Sequence, residues 1–280
     1  MLSSTQKAQF ETQGFLVLKR FKSAGQIEDL RQRANELVEA FDPESTRSVF
    51  TTNDQVRLID RYFLDSANQI RCFFEEAAFT VDGRLGQSKH LSINKIGHAM
   101  HDLDPVFDRF SRGPELAAVA ADLGLIAPQL WQSMYIFKQP GIGGEVGWHQ
   151  DATFFHSDPI SVTTFWFALE DATEENGCLW VQPGGHRGPL RERFERVGDQ
   201  ISMRKLDATP WPDQSTALPL PVAAGTLVCF HGLLPHYSAP NRSDRSRHAY
   251  TLHATCGSSR YARSNWIQRD AKGPPLRGFD

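Results

Sequence analysis

The stretch WHQDATFF, residues 148 to 155, sets His149 and Asp151 two residues apart, with glycines before and aromatics after. Two residues is the repeat of a β-strand, so both side chains leave one face of a strand. An imidazole and a carboxylate aimed at one spot can hold a metal, polarise each other or share a hydrogen bond. A second group of reactive side chains lies between residues 231 and 253. There PHYSAPNRSDRSRHAYTLH reads as strand, turn, strand, with Pro240, Asn241, Ser243 and Asp244 as turn formers. A hairpin centred between Asn241 and Arg242 places His236 opposite Arg247, with Ser238 on the same face as His236.

Two histidines, one carboxylate and an arginine are the parts of a non-haem Fe(II) site. Imidazole suits Fe(II), and one hard carboxylate lowers the charge of the centre. Such a ligand set occupies one face of the metal and leaves positions open for a chelating co-substrate and O2. An arginine fork suits a carboxylate. A keto acid that chelates iron at one end and meets Arg247 at the other would be 2-oxoglutarate.

Each of these residues also has a plainer reading. His149 and Asp151 alone could be a hydrogen-bonded pair on a strand. His231 rivals His236, but the same register places it opposite Leu252, away from Arg247. Arg242 and Arg245 fall in or beside the turn, where solvation is the simple account. His186 sits in a turn, QPGGH, and Glu174, Glu175 and Asn176 read as another turn. His98 and His101 suit either a substrate mouth or the surface. Trp148, Phe154, Phe155 and Trp166 suit the core, with one or two walling a pocket. Other schemes lack their motifs: there is no G-x-S-x-G, no Walker loop, no H-E-x-x-H and no G-x-G-x-x-G after a strand. GIGGEVG enters a strand, so it is not a phosphate cradle. A zinc-dependent hydrolase could use the same ligands, but it leaves Arg247 without a role. A metal- and 2-oxoglutarate-binding β-barrel without catalysis, a sensor or pseudo-enzyme, is the other alternative.

These residues need strands to position them. From Gln129 onward the chain supplies short runs rich in β-branched and aromatic residues: LWQSMYIFK, VGWHQDATFF, SVTTFWFALE, CLWVQP, GTLVCFHG, PHYSA and RHAYTLHAT. Turn residues separate them, which suggests an antiparallel jelly roll. Residues 1 to 125 read mostly helical. Ser3 or Ser4 caps a helix that stops at Gly14, and FLVLKRF is a short strand. Ser23 caps an amphipathic run with Ile27, Leu30, Leu37, Val38 and Phe41 at helical spacing. QIRCFFEEAAF and GPELAAVAADLG read as further helical or partly helical pieces, and residues 43 to 66 as a loop. No Gly/Ser linker divides the halves. The expectation is one domain over 1–280: a mostly helical flank at 1–128, a metal-binding β core at 129–256 and a tail at 257–280.

Composition narrows the partners. A net charge of −3 gives no general reason to expect nucleic acid or an anionic membrane. No run approaches the ~18 apolar residues of a membrane span. The four cysteines, Cys72, Cys178, Cys229 and Cys256, lie far apart without C-x-x-C spacing, as buried thiols in a reducing compartment would. The polar start MLSSTQKAQFETQG has no apolar signal core. A cytoplasmic protein with a small-molecule substrate is the expectation. Oligomeric state is not written in the sequence.

In NKIGHAMHDLDPVF, QSMYIFKQP, GGEVGWHQDATFF, EDATEENGCLWVQPGGH and NRSDRSRHAYTLH the chain resembles the phytanoyl-CoA dioxygenase family, in particular its domain-containing-protein branch. These stretches span residues 94 to 253, and the early FETQGFLVLKRF is similar as well. H-x-D alone is a weak signal; H-x-D, ENGCL and a distal H-x-S with Arg247 following, in that order, are a strong one. The resemblance implies a double-stranded β-helix, a cupin-like core with N-terminal helices packed on it. It implies an Fe(II)- and 2-oxoglutarate-dependent dioxygenase that uses O2, with ascorbate as a candidate reductant. It places iron on His149, Asp151 and His236, and the far carboxylate of 2-oxoglutarate on Arg247. Further co-substrate contacts fall on Lys95, Met134, Gln150, Trp166 and Ser238. The carboxylate ligand is present, which argues against halogenation. The reaction implied is hydroxylation of an unactivated C–H bond in a small organic, acyl or acyl-CoA substrate.

Overall fold

The computed structural model describes residues 1–49, 60–269 and 273–280. Its frame is two antiparallel sheets. The large sheet has seven strands in the order β1-β12-β7-β14-β4-β3-β2. These are β1 Phe15–Leu18, β2 Ile70–Phe74, β3 Ile93–His98, β4 Gln129–Ile136, β7 Thr163–Ala168, β12 Leu227–His231 and β14 Ala249–Thr255. The small sheet has four, in the order β11-β8-β13-β5: β5 Val146–His149, β8 Leu179–Val181, β11 Leu218–Leu220 and β13 His236–Ser238. Two minor pairs complete the strands among the described residues: β9 Glu192–Val197 with β10 Gln200–Lys205, and β6 Ser157–Asp158 with β15 Arg260–Tyr261.

Period-2 alternation gives the large sheet two characters. On β7, Phe165 and Phe167 join the main hydrophobic core, while Thr164 and Trp166 line a cavity. On β14, Tyr250, Leu252 and Ala254 go to the core, and Thr251 and His253 to the cavity. The helices cover the core face. Helix α1 (Ser4–Gln13) and helix α2 (Ala24–Ala40) each begin with a capping box, Ser3 with Gln6 and Ser23 with Gln26. Gly14, at φ 80°, ends α1. Helix α2 buries Ile27, Leu30, Ala34 and Val38 in that core. This is the double-stranded β-helix architecture expected, with antiparallel sheets that do not close into a barrel among the described residues. All four cysteines are free and buried. Among the described residues no helix is long and apolar enough to cross a membrane.

The structure corrects several expectations. Within the flank at 1–128, three segments are strands, and β1, β2 and β3 belong to the large sheet. QIRCFFEEAAF forms β2 and then a 3-10 turn, Glu76–Ala78, so only its second half is helical. Its apolar run is short and packs Cys72 and Phe74 into the core, which periodicity alone does not separate from a buried helix. Part of the loop expected at 43 to 66 lies outside the described residues; a short helix, Arg61–Leu64, follows it.

The hairpin proposed for residues 231 to 253 does not form. Strand β13 pairs with β5 and β8 in the small sheet, whereas β14 pairs with β4 and β7 in the large one. The chain between them crosses from sheet to sheet. Asn241 holds this corner: its side-chain amide donates to the carbonyls of Lys138 (2.8 Å) and Arg245 (2.7 Å).

Candidate metal centre and acid pocket

Strand β5 ends at His149, and Asp151 opens a one-turn 3-10 helix. Gln150 between them stays extended, so His149 and Asp151 leave the same side. His236 is the direct cross-strand partner of His149 in the β13–β5 pair. The two imidazole rings lie 4.0 Å apart, centre to centre. Asp151 Oδ1 is 3.8 Å from His149 Nε2 and 3.7 Å from His236 Nε2. One ligand atom from each residue falls within 4.8 Å of the others.

The tautomers suit a metal. His149 Nδ1 bonds to the Gly147 carbonyl at 2.8 Å, and His236 Nδ1 to that of Leu234 at 2.9 Å. A carbonyl only accepts, so each Nδ1 carries the hydrogen and each Nε2 presents a lone pair. Burial alone would raise the pKa of Asp151. The imidazoles of His236, His253 and His149 reverse that and hold the carboxyl well below its usual range. The donor set therefore fits a divalent ion with a taste for nitrogen and oxygen.

The three ligands face a cavity of ≈ 370 Å³. Arg247 lies at one end of it, 2% exposed. Its Nε donates to the Gly177 carbonyl at 3.1 Å and its Nη2 to Ser238 Oγ at 3.3 Å. Its Nη1 is buried with no hydrogen-bond partner among the described residues. Burial pulls its pKa down to about 10, still charged at neutral pH. An unpaired guanidinium nitrogen in a closed space costs free energy until an acceptor arrives. Gly177 explains the ENGCL motif. It sits at φ +85°, and a Cβ there would lie 2.6 Å from Lys138 Cε.

Of the other expected residues, Lys95, Met134, Trp166 and Ser238 line the same cavity. Lys95 comes from β3, not from outside the strands. Trp166 carries the Arg247 guanidinium 5.5 Å from its ring centre. Gln150 is not brought there. Its Nε2 donates to the carbonyls of Pro189 (3.0 Å) and Leu233 (2.8 Å), and its Oε1 accepts from Arg191 N (3.0 Å). Alternation after His149 turns Gln150 away from the ligands, so it ties two loops together instead. His231 packs against His186, 5.4 Å between ring centres, outside the cavity. His101 is buried against Ser133 and Asp102. His98 does line the cavity, as do Trp148, Phe154 and Phe155.

Three residues at the site escaped sequence reasoning. Thr164 donates its hydroxyl to Asp151 Oδ2, and His253 Nε2 lies 3.6 Å from the same oxygen. Two-residue spacing from Thr251 and from Trp166 was the available signal. Lys138 is buried, and its Nζ donates to Gly144 O at 2.6 Å and, more weakly, to Ser238 O at 3.4 Å. Burial, and then Arg247, lower its pKa to about 7. It has a left-handed φ of 45°, which FKQP does not announce.

Two facing sheets with a two-histidine, one-carboxylate cluster on the smaller one define the architecture and site of a non-haem iron oxygenase. The comparisons with known proteins agree. The family Phytanoyl-CoA dioxygenase (PhyH) matches residues 10–249. The chain is 46% identical over 268 residues to the "Phytanoyl-CoA dioxygenase" of Arabidopsis thaliana, covering 95% of this chain and 94% of that protein. It is 43% identical to "Phytanoyl-CoA dioxygenase domain-containing protein 1" of Bos taurus, with 98% of each covered. Among solved structures, the epimerase SnoN in complex with Fe3+, alpha ketoglutarate and nogalamycin RO superposes with a TM-score of 0.65. It is 16% identical and covers 98% of this chain and 95% of that one, a likeness of fold. The chain belongs to the phytanoyl-CoA dioxygenase family, the non-haem iron and 2-oxoglutarate dioxygenases that its sequence resembles.

Proposed function

We propose that the protein binds Fe(II) through His149, Asp151 and His236, binds 2-oxoglutarate against Arg247, and hydroxylates a C–H bond of a small organic substrate. One observation carries this reading. Two imidazoles held through Nδ1 by backbone carbonyls, a carboxylate, and a guanidinium whose Nη1 has no hydrogen-bond partner among the described residues share one cavity. Bound there, iron and 2-oxoglutarate would supply an O2-dependent oxidation, with release of succinate and CO2.

The residues of the chain have distinct tasks. Arg247 Nη1 would take a carboxylate oxygen of the co-substrate, and Ser238, whose hydroxyl donates to the Gly177 carbonyl at 2.9 Å and accepts from Arg247 Nη2, holds the guanidinium in place. Trp166 closes the wall beside the guanidinium. Lys95 and Met134 bound the same space from β3 and β4. Phe63, Phe154, Phe155, Trp148 and Trp266 surround the remainder with aromatic surface, which excludes water and suits an apolar carbon skeleton. The cavity must hold the co-substrate as well, so the reacting part of the substrate is compact. An acyl-CoA would leave its CoA moiety outside.

Anaerobic calorimetry tests the binding half. The expected result is 2-oxoglutarate binding that needs Fe(II) and weakens strongly in Arg247→Ala. Metal binding without 2-oxoglutarate binding would favour another metalloprotein, such as a zinc-dependent hydrolase. Binding of both without turnover under any substrate would favour a sensor.

A further inference from the structure

The two oxygens of Asp151 have different surroundings. Oδ1 faces the ligand histidines, at 3.8 and 3.7 Å. Oδ2 faces the large sheet, where it accepts the Thr164 hydroxyl and has His253 Nε2 at 3.6 Å. Thr164 and His253 are direct partners across β7 and β14, so one rung of the sheet supplies both contacts. We propose that this rung sorts the carboxylate, holding Oδ2 away from the metal so that Asp151 offers Oδ1 as a single ligand oxygen. The inference rests on the iron site proposed above.

The rung is built to stay in place. His253 is 2% exposed, and its ring stacks on Phe155 at 4.7 Å with an interplanar angle of 13°. The Phe155 amide in turn donates to the Asp151 carbonyl at 3.1 Å, inside the turn that Asp151 opens. The imidazole and the carboxylate are thus fixed to one small unit. Among the described residues His253 Nδ1 is buried without a hydrogen-bond partner, and the polar atom that Nε2 approaches is Asp151 Oδ2, at 3.6 Å.

The consequence is a count of open positions. A carboxylate that binds through both oxygens takes two places on the metal; one that binds through a single oxygen takes one. Held by two imidazoles and one oxygen, a metal ion would keep room for a chelating keto acid and O2. With Oδ2 released, Asp151 could close over part of that room. His253 and Thr164 are therefore positioning residues. They touch a ligand, not the reacting atoms.

The test reads the metal, not turnover. His253→Phe keeps a ring to stack on Phe155 and removes the nitrogen. His253→Gln returns a nitrogen donor near the same place, and Thr164→Val keeps the shape and removes the hydroxyl. Anaerobic Fe(II) titration, with the visible spectrum of the Co(II)-substituted protein, follows affinity and coordination. Outer partners of metal ligands carry about 10–100-fold in metal affinity. The expected result is a loss of that size and an altered Co(II) spectrum in His253→Phe and Thr164→Val, with recovery toward wild type in His253→Gln. Unchanged affinity and spectrum in both, while Asp151→Ala loses the metal, would overturn the inference and leave the iron site standing. No Fe(II) binding by the wild type would sink both. Should His253→Phe not fold, Thr164→Val and His253→Gln decide the matter by the same readouts.

Discussion

The large sheet and the small sheet wall one cavity with different materials. The small sheet is made of strands three or four residues long, and it brings His149, His236 and Ser238. The large sheet has strands of up to eight residues, with aromatic residues packed under helices on its far face. Toward the cavity it turns Met134, Thr164, Trp166 and His253. Most of the ligands thus come from short strand ends, and most of the groups that hold them come from a deeply packed support. The contrast teaches where damage should fall: changes in the small sheet should cost chemistry, and changes on the core face of the large sheet should cost stability.

Asp151→Ala should have the largest effect, removing both Fe(II) binding and succinate formation. A variant that retains iron would break the division, since the cluster would then hold metal by its imidazoles alone. Arg247→Ala comes next. Truncating one partner of a buried charge pair costs about 2–5 kcal/mol, so the KM for 2-oxoglutarate should rise by at least ~30-fold. Arg247→Lys should recover little of it, because a point charge cannot reproduce the guanidinium fork.

Phe165→Ala sharpens the contrast from the other side. Phe165 is fully buried on β7, on the face opposite Trp166, and meets Phe279 edge-on at 4.8 Å. Its loss should destabilise the fold by about 3–5 kcal/mol. At a temperature where the variant stays folded, its metal and 2-oxoglutarate affinities should match wild type.

Lys138→Met should have the smallest effect, and one with a pH signature. Lys138 is pulled down to about 7 by burial and then by Arg247, with Glu75, Glu145 and Cys178 acting the other way. A dianion favours the charged amine. Affinity for 2-oxoglutarate should thus be highest below about pH 7 and fall as the pH rises through it. The variant should bind about tenfold more weakly at pH 6, roughly 1.4 kcal/mol, and should lose that component of the pH dependence.

The chemistry of the site was more legible in the sequence than the route by which the chain builds it. His149 and Asp151 leave one side as their spacing suggests, because the extended Gln150 carries the alternation past the end of β5, and His236 meets them across the β13–β5 pair. Arg247 and Ser238 do meet, but across two sheets and not within a hairpin. Turn formers such as Asn241 mark where a chain changes direction. They do not say whether it returns beside itself or crosses to another layer. Lys95 is named through the resemblance alone, because its strand, β3, is hidden in an N-terminal half whose helices dominate its periodicity. For Thr164 and His253 spacing gives a face of the strand but not the partner, Asp151, which the fold brings to both. Gln150 was misplaced by adjacency, since the residue between two ligands on a strand faces away from both.

The measurement that tests the central claim most directly is 2-oxoglutarate turnover to succinate by the purified protein. It needs Fe(II), ascorbate and O2, with no added substrate, beside Asp151→Ala. Slow O2-dependent succinate formation by the wild type, absent in the variant, is the result predicted. Succinate formed equally by both, or no binding of 2-oxoglutarate to the iron-loaded protein, would contradict it.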